Sequence, residues 1–486
     1  MSEGVTFTNV TVFDGTGGPS IESDVTVDGE RISAVGPDLD PRGREVIDGS
    51  GLALAPGFID VHTHDDLAVI ATPEHACKTL QGVTSVVVGN CGMSAAPTSD
   101  DPLGFSRHPR IADYLAAVER AAPAVNVGTL VGHGTVRAAV MGLRTDRDAD
   151  GREREAMIEH VAAAMEDGAL GLSSGLAYEP GRYAAHDELV DLNEVVARAG
   201  GIYTTHMRNE SQTLVESIDE SIAVAEATGV PLQISHLKAS GRDHWGKVIS
   251  ALEHIDDARS RGVDVMADQY PYTRGSTLLE QVVNAGALDG PSSFAHLLPK
   301  DILVAAAPGH THWEGRTIEE IAAAEATTGR DMADRIVEAE GRNCFVILDT
   351  MSEDDVRTVM AHPAVMTGSD GVPGGSKPHP RLHHTYPRVL GHYSRDEGLL
   401  EFADAVHRMT GMPAGRFGFT DRGVIRPGAY ADLVLFDAAT IADTGTYTDP
   451  TSVPAGIVGV WVNGVRVAAD GVVTGERPGR IVRRQG

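Results

Sequence analysis

The pattern of apolar and polar positions changes twice along the chain. Over the first fifty or so residues the two kinds alternate, as in VTFTNVTVFDG and SDVTVDGERISAVG, with glycine and aspartate as punctuation. Successive side chains of a strand point to opposite faces, so a period of two predicts short antiparallel strands. The end of the chain reads the same way: GVIRPGAYADLVLFD, then AGIVGVWVNGVRVAADG, with Asn463-Gly464 as a hairpin turn. Two β-rich ends predict one small β-sandwich built from residues 1–55 and 416–486.

Between them, short apolar runs led or followed by glycine recur: GFIDVH, GVTSVVVG, AVNVGTLVG, GALGLSS, GGIYTTH, GVPLQISH, GVDVMADQY and AVMTGSD. Most are separated by helical patterns such as REREAMIEHVAAAMEDG and DELVDLNEVVARAG. Strand alternating with helix, eight times over, predicts an α/β fold, a (β/α)8 TIM-type barrel over residues 56–415. Residues 284–345 break the rhythm and predict an insertion before the last barrel strand. Such barrels place their chemistry at the carboxyl ends of the strands, so the polar residues ending those runs are the candidates.

The first run ends in DVHTH. Residues i and i+2 of a strand share a face about 6–7 Å apart, so His62 and His64 can bind one metal ion. The fifth run ends at His206, the sixth at His236 and the eighth at Asp370. Imidazole and carboxylate are ordinary zinc ligands, and four histidines with one aspartate at equivalent strand ends point to a metal site. The second run continues into VVVGNCGMSA, where Cys91 reads either as a small buried hydrophobe or as a ligand.

Composition narrows the partners. The chain has 486 residues, 42% of them apolar, and a net charge of -29 that is spread along its length. That balance argues against nucleic acid or an anionic membrane as a partner. No apolar run approaches the roughly 20 residues needed to span a bilayer. Three cysteines cannot form a disulfide framework, and the first residues lack the basic and apolar regions of a signal peptide. A reducing cytoplasm is the expected location. The composition leaves oligomeric state open.

Five lysines stand against thirty-five arginines, so a lysine in an informative place is of interest. Lys238 follows His236 by two and is expected on the same face of the strand end. An ammonium there suits a substrate carboxylate; the alternative is a lysine snorkelling to the surface.

GFIDVHTHDD, THMRNES, ISHLKASG and TGSDG, in this order, resemble the amidohydrolase superfamily. GALGLSSGLAYEPG, YTTHMRNE, DQYPYT and HPRLHHTYPRVLG more narrowly resemble its N-acyl-D-amino-acid deacylases, over nearly the whole chain. Many two-metal relatives bridge their ions with a carboxylated lysine on strand four, which GALGLSSGL lacks. The deacylases use a cysteine after strand two, where Cys91 stands. The resemblance implies one zinc held tightly by Cys91, His206 and His236, and a second, weaker ion near His62, His64 and Asp370. It also implies that Lys238, Tyr270 and Ser276 hold the α-carboxylate of an N-acyl amino acid, with Arg274 between the last two as an addition.

Asp370 is then the proton shuttle of amide hydrolysis, serving as ligand, shuttle or both in turn. His133 in LVGHGTVR either hydrogen-bonds the developing oxyanion or caps its strand. PGGSKPHPRLHH reads as a mobile loop in which Arg381 either meets an acidic substrate side chain or is simply solvated. His379, His383 and His384 in that stretch are not taken as ligands, and Cys77 and Cys344 are read as structural. The rival functions are a cyclic-amide hydrolase of the dihydropyrimidinase or dihydroorotase kind and a non-catalytic scaffold on the same fold.

Overall fold

The computed structural model describes residues 4–98, 108–143 and 145–484, and a parallel barrel forms its centre. The eight strands are Phe58–Asp60, Val83–Val88, Asn126–Thr129 continued by Val131–Gly132, Gly171–Gly175, Ile202–His206, Leu232–Ile234, Val265–Gln269 and Val365–Thr367. They pair in sequence order, and a parallel bridge between Thr63 and Gly371 joins the last to the first. Helices cover the outer face, so strands such as VTSVVV are buried at every position, as a parallel sheet requires.

The helices carry their own start and stop signals. In Gly151–Asp167, the Asp150 carboxylate accepts the backbone N–H groups of Arg152 and Glu153, and Glu153 accepts that of Asp150 in return. The helix stops at Gly168, whose φ of 105° a side chain would resist. Inside the barrel, Ile59, Val87, Leu130 and Ile202 share one apolar cluster with Phe417 and Phe419. The polar candidates follow at the carboxyl ends of the strands, as at His206.

The two chain ends form one continuous nine-stranded sheet, ordered so that the N-terminal strand Ala53–Pro56 pairs with the C-terminal strand Leu433–Phe436. One face gathers Val5, Phe7, Val25, Leu435 and Trp461 into its own core. The other packs Val434, Phe436, Val460 and Val462 against the barrel. The chain then returns to the barrel, where Val127 donates to the Arg480 carbonyl and Val482 donates to that of Val127.

The excursion before the eighth strand is longer than the spacing suggests. Arg274–Leu278 pairs antiparallel with Phe345–Asp349, which pairs with Ile302–Ala306, over a separate core containing Val304, Ile321, Ile336 and Val346. The excursion therefore starts at Arg274 and ends at Asp349, enclosing 284–345. RGSTL is half-buried throughout, so no alternation marks it as a strand, and its partner lies beyond the whole insertion. PGGSKPHPRLHH is exposed only at residues 374–376. A helix, Arg381–Arg388, begins within it, and His379 and Arg381 are buried.

Candidate metal centre and substrate cavity

The candidate ligands leave their strands through sharp turns. Cys91, His236 and Asp370 have φ of 53°, 38° and 49°. Residues other than glycine enter this left-handed region at a cost of about 1–3 kcal/mol, where surrounding structure holds them. Gly92 continues the turn of Cys91 with φ 74°, and a Cβ there would lie 2.6 Å from the Gly175 nitrogen. A Cβ on Gly175 would lie 2.1 Å from the Cys91 carbonyl oxygen. Strand four thus ends without a side chain, and the turn carrying Cys91 packs against that end.

Two sets of donor atoms converge there. In Cys91, His206 and His236 one ligand atom from each residue lies within 4.8 Å of the others, and the same holds for His62, His64, Cys91 and Asp370. The Cys91 sulfur is 3.3 Å from His62 Nε2 and 3.5 Å from His236 Nε2, and the latter is 2.8 Å from His206 Nδ1. Asp370 Oδ1 is 3.2 Å from His64 Nε2 and 3.5 Å from His62 Nε2. A buried thiol surrounded by imidazole nitrogens that face one another is a zinc-type donor set. Burial alone would raise the Cys91 thiol, but His62 and His236 outweigh it and draw the group well below its ordinary range.

Carboxylates that the strand-end argument overlooked stand behind these histidines. Asp268 Oδ1 is 3.0 Å from His62 Nδ1 and accepts the His236 backbone N–H at 2.8 Å. An aspartate inside a buried parallel strand, VMADQ, is a signal that could have exposed it. Glu210 Oε1 is 2.9 Å from His236 Nδ1 and accepts from Lys238 Nζ at 2.7 Å. Glu210 carries no strand-end position, so only the fold brings it in. Burial would raise its carboxyl, but Lys238, His206 and His236 hold it well below the usual carboxylate range. A third buried cluster ties the turns together. Lys78 donates to Asp60 and Ser369, and Asp60 accepts the backbone N–H groups of His62 and Ser369.

A cavity of about 320 Å³ opens over these atoms. Its polar lining includes His64, Lys238, Tyr270, Ser276 and Asp370, and its apolar lining includes Leu278, Phe294 and Phe345. Lys238 is buried beside the metal cluster, not snorkelling to the surface, and its ammonium lies 5.8 Å from the centre of the Tyr270 ring.

Three of the expected site residues are placed differently. Arg381 is fully buried: its Nη1 is 2.9 Å from Asp370 Oδ2, and its guanidinium lies 4.4 Å from the centre of the Tyr270 ring. A solvated arginine does not fit that position. Arg274 does not line the cavity; it pairs with Asp349 and covers the Tyr447 ring. His133 opens a helix, with its Nε2 2.7 Å from Glu188 Oε1, and also lies off the cavity wall. Burial raises the Asp370 carboxyl, but Arg381 and the neighbouring histidines outweigh it and keep the group ionised.

Known proteins resemble the chain over nearly its whole length. The Amidohydrolase family profile matches residues 45–468. The chain is 40% identical over 484 residues to the D-aminoacylase of Alcaligenes xylosoxydans xylosoxydans, covering 98% of this chain and 96% of the relative. An N-acyl-D-glutamate deacylase of the same organism is 41% identical over 488 residues, covering 97% and 95%. A solved N-acyl-D-glutamate deacylase from Bordetella bronchiseptica, complexed with zinc and a phosphonate mimic of the tetrahedral intermediate, is 37% identical. It matches with a TM-score of 0.91 over 99% of this chain and 100% of that one.

Proposed function

Because the chain belongs to the amidohydrolase family, we propose that it is a zinc-dependent deacylase of N-acyl-D-amino acids. It cleaves the linear amide bond to give a carboxylate and a free D-amino acid. The observation that carries this reading is the ligand set: a thiolate, Cys91, lies among His62, His206 and His236, where strand four offers no side chain.

Cys91, His206 and His236 would hold the tighter zinc, and His62, His64 and Asp370 the weaker ion. Bound zinc supplies a Lewis acid for the amide carbonyl and makes water acidic enough to attack at neutral pH. The chain's own groups do the rest. The Asp370 carboxylate, ionised and on the cavity wall, takes a proton from the attacking water and returns it to the leaving nitrogen. The Lys238 ammonium and the Tyr270 and Ser276 side chains receive the α-carboxylate from one side of the cavity. Leu278, Phe294 and Phe345 form the apolar wall against which the rest of the substrate lies.

A cytoplasmic location remains part of the reading, supported by three cysteines that are all free. Among the described residues no helix is long and apolar enough to cross a membrane.

The test is a panel of N-acetyl-D- and N-acetyl-L-amino acids beside hydantoin and dihydrouracil, with zinc measured on the same sample. Turnover of the D series by zinc-containing protein is expected; turnover confined to the cyclic substrates would overturn the reading. Asp370→Asn should keep its tighter zinc and lose about 10²–10⁴-fold in kcat. Near-normal turnover would remove Asp370 from its role.

A further inference from the structure

Lys238 makes three contacts through one ammonium: Glu210 Oε1 at 2.7 Å, His236 Nδ1 at 2.9 Å and the His236 carbonyl oxygen at 3.1 Å. Those contacts use all three of its donors. The same Glu210 oxygen lies 2.9 Å from His236 Nδ1, so carboxylate, ammonium and imidazole form a closed triangle. The other ring nitrogen of His236, Nε2, faces Cys91 and His206 in the metal cluster.

Only one arrangement of protons suits a metal-holding His236. With the Nε2 lone pair given to zinc, the ring proton sits on Nδ1 and donates to Glu210. Nδ1 then cannot accept from Lys238. The ammonium keeps Glu210 and the His236 carbonyl, and its third N–H has no acceptor in the triangle. Lys238 lines the cavity, so that N–H is available to a substrate carboxylate.

We infer that Glu210 is a positioning residue shared by both halves of the site, fixing the zinc ligand His236 and the carboxylate-receiving Lys238 through one oxygen. Glu210 borders the cavity, but its Oε1 is taken up by His236 Nδ1 and the Lys238 ammonium. Carboxylates behind metal-bound histidines orient the ring and raise its basicity, which gives Glu210 a reason to be buried and ionised here. The inference rests on the deacylase reading for its substrate half; its metal half stands on the ligand geometry alone.

Glu210→Gln keeps the shape and removes the charge. Two readings on zinc-loaded protein decide the matter: zinc retention against a competing chelator, and the KM of an N-acetyl-D-amino acid relative to its neutral carboxamide. The variant is expected to lose about 10–100-fold in zinc affinity. It is also expected to lose about tenfold of its preference for the acid over the amide, because the ammonium is no longer anchored. A group that merely stabilises the fold would lower the melting temperature and leave both readings unchanged. Unchanged zinc retention, or an unchanged acid-to-amide ratio, overturns the inference.

Glu210→Asp keeps the charge and withdraws the oxygen by one methylene, and should show smaller losses in both readings. It carries the same test if the glutamine variant fails to melt cooperatively. Wild-type protein that cleaves no N-acyl-D-amino acid would overturn the deacylase reading, and chelator competition would still decide the role of Glu210 toward His236.

Discussion

Arg381 Nη1 lies 2.9 Å from Asp370 Oδ2, and the guanidinium is fully buried. A permanent cation beside the carboxylate keeps Asp370 ionised far into the acid range. Replacing Arg381 with Met removes that cation, so the Asp370 carboxyl rises toward its ordinary range. A base must be unprotonated to accept, so activity in the variant is lost at a higher pH as the solution is acidified. The pH profile of kcat/KM checks this. An acid limb that stays in place, or moves down, contradicts the pairing.

The sulfur of Cys91 is the softest donor in the cluster and the one that no neighbour can replace. Cys91→Ala should release the tighter zinc while leaving the barrel folded. Metal analysis after dialysis, with circular dichroism on the same sample, is the check. A variant that keeps stoichiometric zinc would make Cys91 a packing residue.

Lys78 is completely buried, donating to Asp60 at 2.7 Å and lying 3.4 Å from Asp65. Removing one partner of such a cluster leaves uncompensated charge in the interior. Lys78→Met should cost about 3–5 kcal/mol of stability. Asp60 also accepts the backbone N–H groups of His62 and Ser369, so activity should fall with stability. Urea denaturation at neutral pH measures the loss, and a change below about 1 kcal/mol would mean the charges are solvated.

Burial pushes the thiols of Cys77 and Cys344 up to about 12. At pH 8 such a thiol is present as thiolate in only about one molecule in ten thousand. The buried Cys344 should not react with a thiol reagent in the native zinc-loaded protein, the partly exposed Cys77 should react slowly, and all three cysteines should react in denaturant. Rapid labelling of Cys344 in the folded protein would show an exposed thiol instead.

The strand-end argument reached His62, His64, His206, His236 and Asp370 because a barrel repeats one local event eight times. Each apolar run announces its own end, and the polar residue there faces the mouth of the barrel. Lys238 followed from the same periodicity and stands beside His236. Arg381 did not follow, because glycine and proline in its neighbourhood describe the local backbone and not what covers it. The packing of Tyr270 and Asp370 over that segment is what buries it.

Alternation and glycine punctuation, then, determined by themselves the barrel, the β-rich ends and the row of candidate ligands, since each depends on neighbours a few residues away. The tertiary structure alone decided which carboxylate stands behind which histidine: Asp268 with His62, and Glu210 with both His236 and Lys238. It also decided that Arg381 belongs to Asp370, that Arg274 and His133 turn to Asp349 and Glu188, and that the excursion begins at the strand Arg274–Leu278. These pairings join residues far apart in the chain. A buried charge takes whichever partner the fold delivers to it, and no local pattern in the sequence encodes that choice.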